Sequence, residues 1–337
     1  MCSENLVSIL IPAYNNPEYT KKTLSSILLQ SYRPIEVVLI DDNSPISLKP
    51  VFDEFLENKD ELISAKFFRN EKNLNPFFNL RSGFKRISGK YLIIMPHDDW
   101  FVDNSFIKTS LDYMARFPHC LVVIGNSKIE NSNSRMFRHK FTTDPFELDG
   151  KTYLKKYLFK KLHPAYSGVL MNFEQLKKLN YANLLISEHE ANFYEITPDE
   201  AFVSIALLSE KGSVLISNEI VSVRGNPENS YSKSDEWLKL WALGVFFPYY
   251  HLLIHFLKTR AYKGALSIFI TIIRAKPETF SQIYQQFKKN GFHFYVLLLC
   301  INNVCNPVIR FMDHPYYTLS LLIPKNVKRM LRSAKRL

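Results

Sequence analysis

Short apolar runs separated by amphipathic stretches dominate the first half of the chain. Val7–Ile11 (VSILI), Ile35–Ile40 (IEVVLI), Tyr91–Met95 (YLIIM) and Leu121–Ile124 (LVVI) are β-branched or aliphatic and of strand length, and Ala65–Arg69 (AKFFR) is a weaker fifth run. Between the first two lies NNPEYTKKTLSSILLQS, which carries the marks of a helix. Asn16 stands at the cap position, Pro17 at the first helical position and Glu18 in the first turn, while Leu24, Ile27 and Leu28 share one apolar face. Phe77, Leu80, Phe84 and Ile87 form a similar stripe behind Pro76. Strand–helix–strand alternation at this spacing predicts an α/β fold with a mostly parallel sheet covered by helices on both faces.

In such sheets ligands gather beyond the carboxyl ends of the strands. Pro12-Ala13-Tyr14-Asn15 follows the first strand, Asp41-Asp42-Asn43-Ser44 the second, Asn70 with Asn73 and Asn75 the third, and His97-Asp98-Asp99 the fourth. Polar and acidic groups therefore converge on one edge. The Asp98-Asp99 pair suits a hard divalent cation such as Mg²⁺ or Mn²⁺, a helix cap, or a solvated turn. Asp41 and Asp42 are either caps or acceptors for a nucleobase N–H or ribose hydroxyl. Tyr14 is either core filler or a ring on which a flat base stacks. Thr197-Pro198-Asp199-Glu200 opens the stretch AFVSIALLSEKG as a routine helix start, or else supplies a general base. No P-loop, dinucleotide fingerprint or nucleophile elbow occurs, which argues against those chemistries.

Composition changes the picture in the second half. With 337 residues, 46% of them hydrophobic, and 26 Phe and 18 Tyr, the chain has ample material for one large domain and an appendage. From about Asp235 the texture turns aromatic and basic, which divides the chain into residues 1–234 and a helical, basic region 235–337. The net charge of +11 belongs to the tail alone: residues 255–337 carry fourteen Lys and Arg against Glu278 and Asp313, and the rest is near neutral. This points to a C-terminal element that meets an anionic membrane surface, and away from nucleic acid, because no aromatic-basic module accompanies the tail. Leu238–Leu257 approaches membrane-spanning length, but Lys239, Pro248, His251 and His255 interrupt it, so buried or interfacial helices are expected there. Cys2, Cys120, Cys300 and Cys305 form no C-x-x-C pair, and the N-terminus MCSENLVSIL lacks a basic leader. Both features predict a reduced, cytoplasmic setting without a zinc site.

Taken together, VSILIPAYNNPEYTKKTLSSILLQSYRPIEVVLIDDNSP resembles the opening of family 2 glycosyltransferases of the GT-A fold. RNEKNLNPFFNLRSGFKRISGKYLIIMPHDD is similar to the family's approach to its D-x-D motif. PDEAFVSIALLSEKGSVLI is similar to its acidic helix and following strand, and VRGNPENSYS to its R-x-H-x-x-S-x-S loop. The resemblance covers roughly residues 5 to 232.

It implies a Rossmann-like GT-A domain, an α-helical C-terminal extension, and inverting transfer of a sugar from a nucleotide-diphosphate donor, most often UDP-linked. Pro12, Ala13, Tyr14, Asn15, Asp41 and Asp42 would hold the nucleoside, with Asn73 and Arg81 as further contacts. Asp98 and Asp99 would hold Mg²⁺ or Mn²⁺ on the diphosphate, and Asp199 or Glu200 would be the base. The acceptor would be a saccharide or lipid-linked saccharide in surface-polysaccharide synthesis, at the inner face of the plasma membrane. Three positions depart from the family pattern. Pro96 replaces the first acid of D-x-D-D, Asp199-Glu200 inverts the usual E-D, and Asn226 stands where the loop histidine is common. A non-catalytic relative that binds nucleotide or glycan is the alternative these departures raise.

Overall fold

The computed structural model describes residues 5–132, 134–135, 145–150, 152–153, 164–178 and 212–228. The chain divides into two compact units, Met1–Pro248 and Tyr249–Leu337, and every described residue belongs to the first. The predicted C-terminal helices, and Asp199 and Glu200, lie outside the described residues.

Five runs read from the sequence are strands: β1 (Val7–Ala13), β2 (Ile35–Asp41), β3 (Ile63–Arg69), β4 (Tyr91–Ile94) and β6 (Cys120–Ile129). The sheet also takes in β5 (Asp99–Phe101), β7 (Phe146–Asp149), β8 (Val169–Asn172) and β9 (Ser213–Arg224). Its order is β3-β2-β1-β4-β8-β6-β9-β5, with β7 also on β9. The predicted parallel arrangement holds across β3-β2-β1-β4. Beyond β4 the sheet is mixed: β8 runs antiparallel to β4 and β6, β6 and β9 are parallel, and β5 and β7 are antiparallel to β9. The parallel pattern stops there because β5 and β8 are short strands whose pairing the sequence does not mark.

Helices α1 (Pro17–Leu28), α2 (Lys49–Asn58), α3 (Asn75–Phe84) and α4 (Phe106–Arg116) connect successive strands, and a short α5 (Phe173–Lys178) follows β8. Strand periodicity sends alternate residues to opposite faces. Ile9, Ile11, Val37, Leu39 and Ile93 join a core with Leu24 and Ile27 of α1, Phe52 and Phe55 of α2, and Phe106 and Ile107 of α4. On the other face α3 approaches so closely that a Cβ at Gly83 would stand 2.5 Å from a Leu10 methyl and 2.9 Å from an Ile40 methyl. Strand β2 is buried along its whole length, whereas β3 at the sheet edge alternates and exposes Lys66.

Two details correct local expectations. Asn16 is the first residue before α1, but its side chain makes no cap; it takes φ 55° and its carbonyl accepts the Thr20 N–H at 3.0 Å. Ile87 falls beyond the end of α3, although it is buried as the stripe predicted.

Candidate active site

The carboxyl ends of β1, β2 and β4 meet at one edge, and the backbone ties them together. Asp42 N–H donates to the Ala13 carbonyl (2.8 Å), Asn70 N–H to Asp41 (2.9 Å) and Met95 N–H to Leu10 (2.9 Å). Asn15, Asn16, Asn43 and Asn75 all adopt left-handed φ angles between 55° and 71°. Asparagine tolerates that region better than most side chains do. This is the local reason the strand-end loops of this chain are rich in asparagine.

The two acids after β2 are both buried, and they do different work. Asp41 Oδ1 accepts the Ser44 N–H (2.9 Å) and hydroxyl (2.5 Å), while Oδ2 pairs with Arg69 Nη1 at 2.5 Å. Arg69 also donates to Asn43 Oδ1 (3.1 Å) and the Ser44 carbonyl (2.7 Å). Ser44 Oγ in turn accepts the Asn15 N–H at 2.7 Å, so the D-x-x-S turn after β2 sets the loop after β1. Asp42 Oδ1 accepts Asn70 Nδ2 and the Leu74 N–H, each at 2.8 Å. Burial raises the Asp42 pKa against the pull of those donors. Tyr14 remains 41% exposed on the loop these contacts shape. Asn73 is a turn builder whose Oδ1 accepts the Asn75 N–H at 2.9 Å. Arg81 sits in the last turn of α3, about 9 Å along the helix from its start at 1.5 Å per residue.

Asp98 and Asp99 face different surroundings. Asp98 is partly exposed, and its carboxylate makes no hydrogen bond or ion pair among the described residues. Asp99 is 3% exposed and turned into the sheet, where Oδ2 lies 2.7 Å from Ser167 Oγ and Oδ1 accepts the Gly225 N–H at 3.3 Å. Ser167 Oγ continues to Ser222 Oγ (3.0 Å) and from there to Ser127 Oγ (2.6 Å), a chain of buried hydroxyls. Ser167-Gly168 thus appears as a partner of Asp99, a role the sequence did not signal. The turn itself is braced by Thr23 of α1, whose hydroxyl lies 2.6 Å from the Asp99 carbonyl and 2.8 Å from that of His97. Next to it the His97 Nε2 atom is buried without a hydrogen-bond partner, and burial lowers that imidazole's pKa.

Among the described residues no three His, Cys, Asp or Glu side chains converge as a metal cage. The Asp98 carboxylate, partly exposed and without a hydrogen bond among the described residues, is an oxygen donor of the kind a hard divalent cation takes. It fits an ion that substrate oxygens help to hold; among the described residues no closed protein site forms. Asp99, also expected on the cation, is buried and directs its oxygens to Ser167 and Gly225.

Burial, then the neighbouring Asp98 charge, pushes the Asp99 pKa up to about 8. Its ordinary value is near 4, so between those limits the folded protein holds a proton that the unfolded chain has released. This contribution to stability is full at low pH and is lost as pH rises toward 8. Asp99→Asn keeps an acceptor for Gly225 and removes the titration. Its melting temperature should therefore gain on the wild type as pH rises from 5 to 8, read by thermal denaturation at stepped pH. Parallel curves would refute a buried, neutral Asp99.

The carboxyl-end edge thus gathers an exposed tyrosine, two buried acids and a partly exposed carboxylate at the place where open α/β sheets bind ligands. The model of Glycosyl transferase family 2 matches residues 8–179, about half of the chain, and the protein belongs to that family. It is similar to an uncharacterized glycosyltransferase of Haemophilus influenzae, 27% identical over 72% of this chain and 88% of that one. It also resembles the GalNAc(5)-diNAcBac-PP-undecaprenol beta-1,3-glucosyltransferase of Campylobacter jejuni, 22% identical over 52% of this chain and 56% of that enzyme.

Among solved structures, TarS 1–349 of S. aureus superposes with a TM-score of 0.53 at 16% identity, over 73% of this chain and 65% of that one. The mannosyltransferase PcManGT of Pyrobaculum calidifontis, solved with GDP-Man and Mn²⁺, does so with a TM-score of 0.52 at 14% identity, over 94% and 83%. At these identities the structural likeness is one of fold, and it establishes the mixed α/β GT-A architecture.

Proposed function

We propose that this glycosyltransferase moves a sugar from a nucleotide-diphosphate donor to a hydroxyl of a saccharide or lipid-linked acceptor in surface-polysaccharide synthesis, with inversion at the anomeric carbon. The observation that carries the reading is the convergence of Tyr14, Asp42 and Asp98 on one strand edge. Tyr14, 41% exposed, would offer a ring face to the base, buried Asp42 a hydrogen-bond acceptor, and partly exposed Asp98 a carboxylate for the diphosphate end. TarS has been solved with UDP-GlcNAc, and the name of the Campylobacter relative describes a lipid-diphosphate acceptor, which supports both halves of the proposal.

Asp98 would hold Mg²⁺ or Mn²⁺ alongside diphosphate oxygens. When bound, such an ion offsets charge on the departing diphosphate. Asp199, or Glu200 beside it, takes the proton of the acceptor hydroxyl. The acceptor oxygen then bonds to the anomeric carbon as the bond to the diphosphate breaks, and the nucleoside diphosphate leaves. One displacement of this kind inverts the carbon. The enzyme works at the cytoplasmic face of the membrane, with region 235–337 and its basic end resting on anionic lipid. No helix among the described residues is long and apolar enough to span a bilayer.

A thermal-shift screen of UDP, GDP, CDP and ADP with and without Mn²⁺ tests the donor half. A ligand at a hundred times its Kd stabilises the fold by about 2.7 kcal/mol, enough for a clear shift. One diphosphate should stand out, more strongly with Mn²⁺, and its sugar conjugate should be slowly hydrolysed. A flat response to all four removes the reading and leaves a relative that binds no nucleotide.

A further inference from the structure

Beside the Asp98 turn lies a second cluster that the donor-site residues do not include. Glu130 follows β6, and its N–H donates to the Arg224 carbonyl at the end of β9 (2.8 Å). Its side chain then reaches forward along the segment leaving β9. Oε2 accepts the Asn226 N–H at 3.2 Å and the Tyr19 hydroxyl at 2.8 Å, and Oε1 lies 3.3 Å from Lys22 Nζ. Tyr19 and Lys22 are three residues apart on α1, so they share a face and present both donors to one carboxylate. Lys22 is itself held, its ammonium 3.4 Å from the centre of the Trp100 ring.

The neighbouring residue is held from the other side. Gly225 donates its N–H to Asp99 Oδ1 (3.3 Å), and its Cα is so close to the Asp98 carbonyl that a Cβ would stand 1.9 Å from that oxygen. Two consecutive amides, Gly225 and Asn226, are thus anchored by two acids, Asp99 of β5 and Glu130 just beyond β6, with Gly225 pressed onto the Asp98 carbonyl. A segment tied at successive amides has little freedom left.

We propose that Glu130, oriented by Tyr19 and Lys22, is a positioning residue that latches the segment leaving β9 against the Asp98 turn and so shapes the diphosphate end of the donor site. The inference rests on the donor reading above. A latch of this kind acts on the diphosphate and leaves the nucleoside end, built by β1 and β2, untouched. A general structural brace would weaken both ends or neither.

The test uses the full chain, Mn²⁺, and the nucleoside diphosphate that shifts the wild type most in the screen, with the monophosphate of the same base as control. Dissociation constants are measured by calorimetry for the wild type and for Glu130→Ala, Glu130→Gln, Tyr19→Phe and Asp98→Ala. Glu130→Ala should weaken the diphosphate about tenfold, close to 1.4 kcal/mol, and leave the monophosphate within about twofold. Glu130→Gln should stay near wild type, because one amide oxygen can accept both Tyr19 and Asn226. Tyr19→Phe should fall between the two. If Glu130→Ala fails to fold, Tyr19→Phe against Glu130→Gln carries the same comparison. Equal losses for both nucleotides, or no loss, while Asp98→Ala weakens the diphosphate, would overturn the latch and spare the donor reading. An Asp98→Ala protein that binds the diphosphate like wild type would overturn the donor reading, and the latch with it.

Discussion

Gly225→Ala is expected to lower the melting temperature by several degrees and to cut sugar transfer by about a hundredfold. The added Cβ would stand 1.9 Å from the Asp98 carbonyl oxygen, 3.0 Å from its carbon and 3.1 Å from the Tyr19 ring. The first contact is with backbone, so no rotamer change relieves it. Either the end of β9 lifts or the Asp98 turn moves, and the bond from Gly225 N–H to Asp99 opens in both cases. Overpacking of this kind costs about 1–3 kcal/mol, and a shift of about 1 Å near reacting groups can cost a hundredfold in rate. Thermal melting and transfer from the donor that the screen identifies provide the two readings. A variant that melts and turns over like wild type would mean that Gly225 does not press on the Asp98 turn.

Asp98→Ala should behave in the opposite way, losing transfer by a hundredfold or more with its melting temperature unchanged or slightly raised. Its carboxylate makes no hydrogen bond or ion pair among the described residues, so the fold loses nothing when it goes. The substitution also removes a negative charge that works against ionisation of Asp99. What is lost is a partly exposed carboxylate at the end proposed for the diphosphate, and electrostatic groups in such positions are worth about 10²–10³ in rate. Melting curves beside initial rates with Mn²⁺ make the comparison. Full turnover in this variant would remove Asp98 from the donor site. A large drop in stability would show that it is a structural acid like its neighbour.

The adjacent pair shows how far the sequence could be read. That HDD ends a buried strand at the same sheet edge as a second acidic pair was visible in YLIIMPHDD and IEVVLIDD, because apolar runs of strand length announce themselves; β1 separates the two strands. Which acid faces outward was not visible. It depends on Ser167 and Gly225, which come from β8's approach and from the end of β9, far along the chain. The same holds after β2. The D-D-x-S motif pointed to the edge, but the pairing of Asp41 with Arg69 required knowing that β3 lies beside β2. Glu130 carried no signal at all, since nothing local distinguishes it from any acid after a strand.

By itself, then, the sequence determined the βαβ half of the sheet, its two-sided burial, the edge where polar and acidic groups gather and the family. These follow from periodicity and short motifs, which are local properties of the chain. Only the tertiary structure decided the mixed pairing beyond β4, the inward turn of Asp99, the service of Asp41 to its own loop, and the hydrogen bond from Asn226 to Glu130. Each of these is a contact between residues distant in sequence, and such contacts are set by strand order and packing, which no local pattern encodes.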